Sequence, residues 1–245
     1  MKKRMIDIGN FFFRYRNFIF PLIILAFYLV AAPPAKLFSS ETLEEVKDCA
    51  ALLIALSGLL FRAVVIGYIY IKRGGRNKRV YAKDLVTSGM FSVCRNPLYV
   101  GNLTIYLGIF LMHGNLVIIV LGMLTYLFIY QCIVLAEEAY LEEKFGDDYR
   151  AYCRDVPRWI PSFSRFRQST QGMVFSIRRV LLKDYTTITA TFLILALTEG
   201  CEEIAVGNIE VLRQPLMLFS IGIPILFVAI VKILKDRRWL MKADG

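Results

Sequence analysis

The feature that most constrains this chain is a series of long apolar segments separated by charged ones. Its 245 residues are 57% hydrophobic and 20% charged, against about 45–50% and about 25% in ordinary soluble domains. A helix of about 20 apolar residues crosses the hydrocarbon layer of a bilayer. Six segments approach that length: 18–35, 49–71, 98–112, 115–136, 186–198 and 215–234. The sequence therefore predicts an all-α, multi-pass membrane bundle. It excludes a soluble α/β enzyme, a disulfide-stapled secreted scaffold and a disordered chain.

The net charge of +10 is distributed unevenly between the apolar segments. Of the 30 lysine and arginine residues, 25 lie in four of the segments that flank the apolar ones: 1–17, 72–97, 137–185 and 235–245. The connecting segments that alternate with these four hold only three: 36–48, 113–115 and 199–214. Basic residues collect on the cytoplasmic side of a membrane protein. This pattern predicts about six crossings with both termini in the cytoplasm, and it explains the charge without a nucleic-acid partner.

The connections predict three parts of the chain. Only residues 113–115 separate the third and fourth segments, which predicts an antiparallel helical hairpin. Gly146 is expected to end the second helix of that hairpin, and 172–184 is amphipathic enough to predict a helix in the membrane plane. The predicted parts are N-terminal spans over 1–71, a core over 72–162, and an interfacial helix with two C-terminal spans over 163–245.

The hairpin brings two polar clusters together. Because the chain reverses direction, the start of the third span should lie beside the end of the fourth. Arg95, Asn96 and Tyr99 are therefore predicted to lie near Glu137 and Glu138 at one rim of the bundle. Adjacent helical residues point about 100° apart, so only one of the two glutamates is expected to face a pocket there.

Two other observations concern isolated residues. Arg62 lies within the second span, where a charge requires an ion-pair partner or a wet cavity. The single histidine, His113, lies on the hairpin turn at the opposite end, and the five cysteines contain no C-x-x-C pair. The sequence therefore predicts no metal site and no catalytic role for His113.

The two clusters together resemble the integral-membrane methyltransferases, which include isoprenylcysteine carboxyl methyltransferases and phospholipid N-methyltransferases. The shared pattern is G-x-[FY]-x-x-x-R-[HN]-P-x-Y-x-G, then E-E-x-x-L-x-x-x-F-G-x-x-Y-x-x-Y, then V-P-R-x-I-P. The matching residues are Gly89, Phe91, Arg95, Asn96, Pro97, Tyr99, Gly101, Glu137, Glu138, Leu141, Phe145, Gly146, Tyr149, Tyr152, Val156, Pro157, Arg158, Ile160 and Pro161. Many relatives have histidine where this chain has Asn96, which retains a hydrogen-bonding role there but not a titrating base.

The resemblance implies S-adenosylmethionine (SAM) as the methyl donor, in a pocket facing the cytoplasm, with a lipid or lipidated acceptor entering from the bilayer. The implied cofactor-binding residues are Asn96, Pro97, Tyr99, Gly101, Glu137 and Glu138. Carboxylates suit the ammonium or ribose hydroxyls of SAM, and the ring of Tyr99 suits its sulfonium by cation–π attraction. The candidate catalytic residues are Arg95 and Arg158, which belong to the pattern, and Arg62, which is a candidate because of its charge within a span. Arginine can bind a carboxylate or phosphate in a fork.

Several functions remain open at this point. Carboxyl O-methylation of an isoprenylcysteine type is favoured over phospholipid N-methylation, because an ionised carboxylate needs no general base whereas an amine does. A small transporter would require charged or broken helices near the midplane, and here only Arg62 lies deep. A membrane scaffold without catalysis is the third alternative. The compact loops favour a bacterial inner membrane, with the site facing the cytoplasm.

Overall fold

A computed structural model describes residues 1–34, 41–68, 82, 84–205 and 207–236, and within these ranges it contains helices and turns but no strand. The α-helices are α1 (Lys2–Val30), α2 (Glu41–Tyr68), α3 (Pro97–His113), α4 (Leu116–Asp155), α5 (Phe166–Ser169), α6 (Ile177–Ala205) and α7 (Pro215–Asp236). Five of them, α1, α2, α4, α6 and α7, are long and apolar enough to cross a membrane, and α3 is a shorter apolar helix. The predicted all-α, multi-pass architecture is confirmed.

Helix α3 occupies the centre of the bundle. It packs against α2, α4 and α6, whereas α1 packs mainly on α4 and α7 on α6. The contact with α2 is close because it is made through small residues: a Cβ atom on Gly108 would lie 2.7 Å from the carbonyl oxygen of Ala51. Small residues at such crossings allow backbones in a membrane to approach and gain van der Waals contact.

The predicted hairpin of α3 and α4 is confirmed. Helix α3 starts with Pro97 in its first turn, where the missing N–H costs nothing. It ends before Gly114, whose φ of 75° is the left-handed conformation that glycine adopts without strain. The side chain of Asn115 then caps α4 by accepting hydrogen bonds from the N–H groups of Val117 and Ile118.

Two further predictions about helix ends have different outcomes. Gly146 interrupts α4 with a φ of 52°, as predicted, and the last turns continue to Asp155. The prediction of a separate helix in the membrane plane over 172–184 is wrong, because residues 177–184 form the first two turns of α6. The reason is Asp184, which is 1% exposed and pairs with Arg62 of α2. Continuing α6 buries this carboxylate against its partner.

The helix ends define two regions of the bundle. Four parts of the chain converge at one end, called the acidic end here: the end of α1, the start of α2, the α3–α4 turn and the end of α6. Two hydrogen bonds join them: Lys47 donates to the carbonyl oxygen of Met112 at 3.0 Å, and a ring nitrogen of His113 is hydrogen-bonded to the carbonyl oxygen of Ala31. At the basic end lie the first half of α1, residues 89–96, the end of α4 and the start of α6. Parts of the predicted basic pieces 72–97 and 235–245 lie outside the described residues.

Candidate active site

The site is built around a motif loop (residues 89–96) that enters α3 and a strap (residues 156–162) that follows α4. The backbone N–H of Arg95 donates to the carbonyl oxygen of Pro157 at 2.9 Å, and a second backbone hydrogen bond of 2.9 Å joins the loop and the strap. These bonds bring the first and last parts of the methyltransferase-like pattern into contact.

Side chains of the motif loop reinforce the contact with the strap. The amide of Asn96 donates to the carbonyl oxygen of Arg158 at 3.1 Å. The thiol of Cys94 lies 3.4 Å and 3.3 Å from the carbonyl oxygens of Arg158 and Trp159. Burial raises the pKa of the Cys94 thiol to about 11, so the sulfur stays protonated and serves as a weak donor rather than a nucleophile.

Glu138 joins two predicted arginines. Its carboxylate accepts two hydrogen bonds from Arg158, at 2.9 Å and 2.8 Å, and lies 3.0 Å from Nη1 of Arg95. Such two-pronged charge-assisted bonds fix geometry as well as adding energy. The predicted proximity of Arg95 and Glu138 is therefore present, and Glu138 holds the motif loop, α4 and the strap together.

A cavity of about 680 Å³ opens beside this cluster, lined by α1, α2, the motif loop, α3, α4 and α6. Of the residues implicated by the sequence, six line it: Arg62, Arg95, Asn96, Pro97, Tyr99 and Glu137. Three do not belong to its lining: Gly101, Glu138 and Arg158. Only one of the two adjacent glutamates faces the cavity, as their helical spacing predicts.

Gly101 affects the cavity through the neighbouring side chain of Arg62. A Cβ atom at this position would lie 2.5 Å from Cγ of Arg62 and 3.2 Å from the carbonyl oxygen of Gly58. The absence of a side chain therefore lets Arg62 cross from α2 over the surface of α3 towards the cavity.

Arg62 has the partner that its position within a span requires. Its Nε lies 3.1 Å from Oδ2 of Asp184 on α6, and a second guanidinium nitrogen also contacts that carboxylate. Arg62 donates a further hydrogen bond to Asn102, whose amide donates to the hydroxyl of Tyr130 at 2.8 Å. An ion pair that is extended by hydrogen bonds offsets the cost of burying its charges.

The same network reaches the predicted donor-binding residues. The rings of Tyr130 and Tyr99 lie 5.0 Å apart, centroid to centroid. The hydroxyl of Tyr99 interacts with the carboxylate of Glu137, and both side chains line the cavity. A continuous series of polar and aromatic contacts thus joins Asp184 on α6 to Glu137 on α4.

Sequence reasoning missed part of this site. It required a partner for Arg62 but did not identify Asp184, because the two residues are 122 positions apart in the chain. Asn102 belongs to the motif stretch but was not assigned to the site. Arg179 and Lys183 also line the cavity, although the sequence predicted them only as part of a helix in the membrane plane. The signal that could have found them is their spacing of four residues, which places both on one helical face.

Comparison with known proteins supports the family resemblance. Residues 49–148 match the family described as phospholipid methyltransferase. The match includes most of α2, the motif loop, α3 and most of α4, and therefore Arg62, Arg95, Tyr99 and Glu137. This region, which is less than half of the chain, is thus similar to that family.

Three curated proteins are similar to parts of the chain. The cobalt-zinc-cadmium resistance protein CzcN of Cupriavidus metallidurans is 35% identical over 83 residues, which are 34% of this chain and 38% of that protein. The nickel-cobalt-cadmium resistance protein NccN of Alcaligenes xylosoxydans xylosoxydans is 30% identical over 91 residues, 37% of this chain and 42% of that protein. The protein-S-isoprenylcysteine O-methyltransferase of Schizosaccharomyces pombe is 39% identical over 77 residues, 31% of this chain and 33% of that protein.

The similarity is confined to part of each molecule. The matches cover between 33% and 42% of the relatives' own lengths. Helices α6 and α7 lie outside the region that matches the family. No solved structure matches the chain.

Proposed function

We propose that this membrane protein is a SAM-dependent methyltransferase that modifies a lipid or a lipidated acceptor at the cytoplasmic face of a bacterial inner membrane. The observation that carries the proposal is the cavity in which Tyr99, Glu137 and Arg95 lie on the part of the wall that matches the family. Its volume of about 680 Å³ lies within the range of about 300–1,000 Å³ that is usual for small-molecule sites.

The residues present fit SAM. Glu137 supplies a carboxylate for a cationic ammonium or for ribose hydroxyls, and the Tyr99 ring supplies a face for a sulfonium. Arg95 lines the cavity, and its buried Nε–H has no hydrogen-bond partner among the described residues. A buried donor without a partner is costly, so a bound carboxylate oxygen would satisfy it.

Positioning is the main catalytic task of such a site. SAM, when bound, supplies a methyl group activated by a sulfonium, and transfer requires the acceptor atom to lie in line with the carbon–sulfur bond. The clamp between Arg95, Glu138 and Arg158 holds the motif loop still, because it ties the loop to α4 and the strap. The network from Arg62 through Asn102 to Tyr130 fixes the opposite wall.

The acceptor is proposed to be a carboxylate of the isoprenylcysteine type, because an ionised carboxylate attacks without losing a proton. A phospholipid amine is the alternative, and it would require a base such as the carboxylate of Glu137 to accept the proton. Two relatives are metal-resistance proteins by name. Among the described residues, the cavity lining contains no histidine or cysteine, which are the usual ligands of such metals. This favours methyl transfer over metal transport.

Binding of SAM by the purified protein tests the proposal. Titration calorimetry should detect SAM with the wild-type protein, and Glu137→Gln should weaken binding about tenfold or more through loss of a charge-assisted hydrogen bond. Tyr99→Ala should weaken it similarly, whereas Tyr99→Phe should not, because the ring face remains. Glu143→Gln is the matched control, since Glu143 lies exposed on the same helix. Absence of SAM binding by the wild-type protein would contradict the proposal.

The product identifies the acceptor. Membranes that contain the protein are incubated with methyl-labelled SAM, and lipid and protein fractions are then extracted. A carboxyl methyl ester releases labelled methanol in alkali, whereas an N-methyl group retains its label. Alkali-labile label would support O-methylation, and stable label in the phospholipid fraction would support the alternative.

A further inference from the structure

Helix α6 presents a basic face to the cavity. Arg179, Lys183, Thr186, Thr187 and Ala190 all line it, and their spacing of three, four or seven residues places them on one side of the helix. All of them lie outside residues 49–148, the region that matches the family. One wall of the cavity is therefore specific to the part of the chain that the family does not cover.

The basic face of α6 is held in place by α2. Asp184, next to Lys183, is buried against Arg62. Nη1 of Arg179 donates to the carbonyl oxygen of Gly67 at 3.0 Å. A guanidinium has five N–H donors, so this bond positions Arg179 without exhausting its capacity to bind a ligand.

The cavity lining carries a surplus of positive charge. It contains five cationic residues and one acidic residue: Arg16, Arg62, Arg95, Arg179, Lys183 and Glu137. Two of the cations also pair with carboxylates outside the lining, Arg62 with Asp184 and Arg95 with Glu138. A donor with a positive sulfonium adds to the positive charge. A cavity lined mostly by cationic side chains attracts anionic groups.

The cavity opens between α1 and α6. The two helices meet at the acidic end, where the hydroxyls of Tyr28 and Thr198 lie 2.5 Å apart. At the basic end they flank the cavity, and the lining residues Asn17 and Pro21 of α1 and Lys183 of α6 are exposed. An opening between two spans faces lipid, so an amphiphile can enter with its polar group beside Lys183.

We infer that Arg179 and Lys183 bind an anionic oxygen group, a carboxylate or a phosphate, on the lipid acceptor at the mouth of the cavity. Through this contact α6 determines which amphiphiles enter. The inference rests on the proposed function, because it assigns the acceptor half of the same cavity. Arg179 and Lys183 act here as specificity-determining residues.

Matched pairs of charged and neutral amphiphiles test this inference by binding alone. One pair is N-acetyl-S-farnesylcysteine and its methyl ester, and the other is lysophosphatidic acid and the monoacylglycerol with the same acyl chain. Calorimetry with the wild-type protein in detergent should show about tenfold tighter binding of the charged member in at least one pair. The pair that shows the preference distinguishes a carboxylate from a phosphate.

The variants assign the preference to α6. Arg179→Gln combined with Lys183→Gln should reduce the preference to near unity, whereas Arg179→Lys with Lys183→Arg should retain it. Arg154→Gln with Lys232→Gln removes the same two charges from exposed positions outside the cavity and should leave it unchanged. If the double glutamine variant unfolds, Lys183→Gln alone, at an exposed position, should still lower the preference several-fold.

Two results would overturn the inference: no preference in the wild-type protein, or an undiminished preference in the glutamine variants. SAM affinity, measured on the same samples, should stay within about twofold because the donor contacts are elsewhere. Absence of SAM binding by the wild-type protein would instead contradict the proposed function. A failure of this inference can therefore be distinguished from a failure of the proposed function.

Discussion

The two ends of the bundle contain similar residue types with different arrangements. At the acidic end, the ammonium of Lys47 forms ion pairs with Glu44, with Asp48 at 3.0 Å and with Glu202 at 3.2 Å. His113 is fully buried against the ring of Tyr28, with centroids 4.6 Å apart. The polar groups of this end bind one another.

At the basic end the helices diverge, and polar groups face a cavity instead. Arg62 and Arg95 each have a carboxylate partner, yet both also line the cavity. Charged residues at the end of a membrane bundle are thus structural where the helices converge. Where α1 and α6 separate, the same types of charged side chain can bind ligands.

The largest expected effect comes from breaking the ion pair between Arg62 and Asp184 beside the cavity. Asp184→Asn leaves the guanidinium of Arg62 buried without its counter-charge, so the free energy of unfolding should fall by about 3–5 kcal/mol. Unfolding of the purified protein in detergent measures this loss. Asp155→Asn, at an exposed position of the same end, should have almost no effect.

A double variant separates stability from function in the same experiment. Arg62→Met with Asp184→Leu replaces both charges by apolar side chains and should recover most of the lost stability. Methyl transfer should remain impaired because the polar wall of the cavity is gone. Recovery of full activity would show that Arg62 has no part in the site.

A smaller effect is expected from crowding Arg62. In Gly101→Ala the new Cβ would lie 2.5 Å from Cγ of Arg62, so the arginine must shift, at a cost of about 1–3 kcal/mol. The free energy of unfolding and the rate of methyl transfer should both fall. Gly222→Ala is the control, because no heavy atom of the described residues lies within 4 Å of the added Cβ. Equal effects of the two changes would show that crowding of Arg62 is not the cause.

Substitutions at the acidic end should have weaker effects. Glu202→Gln removes one of three carboxylates around Lys47, and Glu44 and Asp48 remain, so a loss of about 1 kcal/mol in unfolding free energy is expected. Methyl transfer should be unchanged, because no described residue of this end lines the cavity. A large loss of activity with intact folding would contradict the division between the two ends. Glu210→Gln, at an exposed acidic position, is the control.

The smallest effect concerns thiol reactivity. At about pH 8 an ordinary thiol, with a pKa of about 8.5, is partly ionised and reacts with iodoacetamide. Burial raises the pKa of Cys94 to about 11, so its reactive thiolate should form only as the pH approaches that value. Mass spectrometry should find the exposed Cys49 and Cys201 alkylated first. Equal reactivity of Cys94 would mean that the strap does not cover the motif loop.

Much of the architecture was predictable from local patterns. Apolar length predicted the spans, and the three residues 113–115 predicted the hairpin, which in turn placed Arg95 beside Glu138. The membrane-plane helix over 172–184 was wrong because amphipathicity does not reveal what a polar face contacts. Asp184 is the last residue of that amphipathic stretch, and it is one of the most deeply buried charges described.

The sequence by itself determined the membrane setting, the hairpin and the resemblance to methyltransferases, since each depends on residues that are close together in the chain. The tertiary structure alone decided which of Glu137 and Glu138 faces the cavity, which partner neutralises Arg62, and that α6 forms a wall of the site. The partner of Arg62 and the position of α6 depend on contacts between residues more than 100 positions apart, such as Arg62 and Asp184. The orientation of the two glutamates depends on the ion pairs of Glu138 with Arg95 and Arg158. Only the packing of helices brings such groups together, because a buried charge is stable only beside its counter-charge.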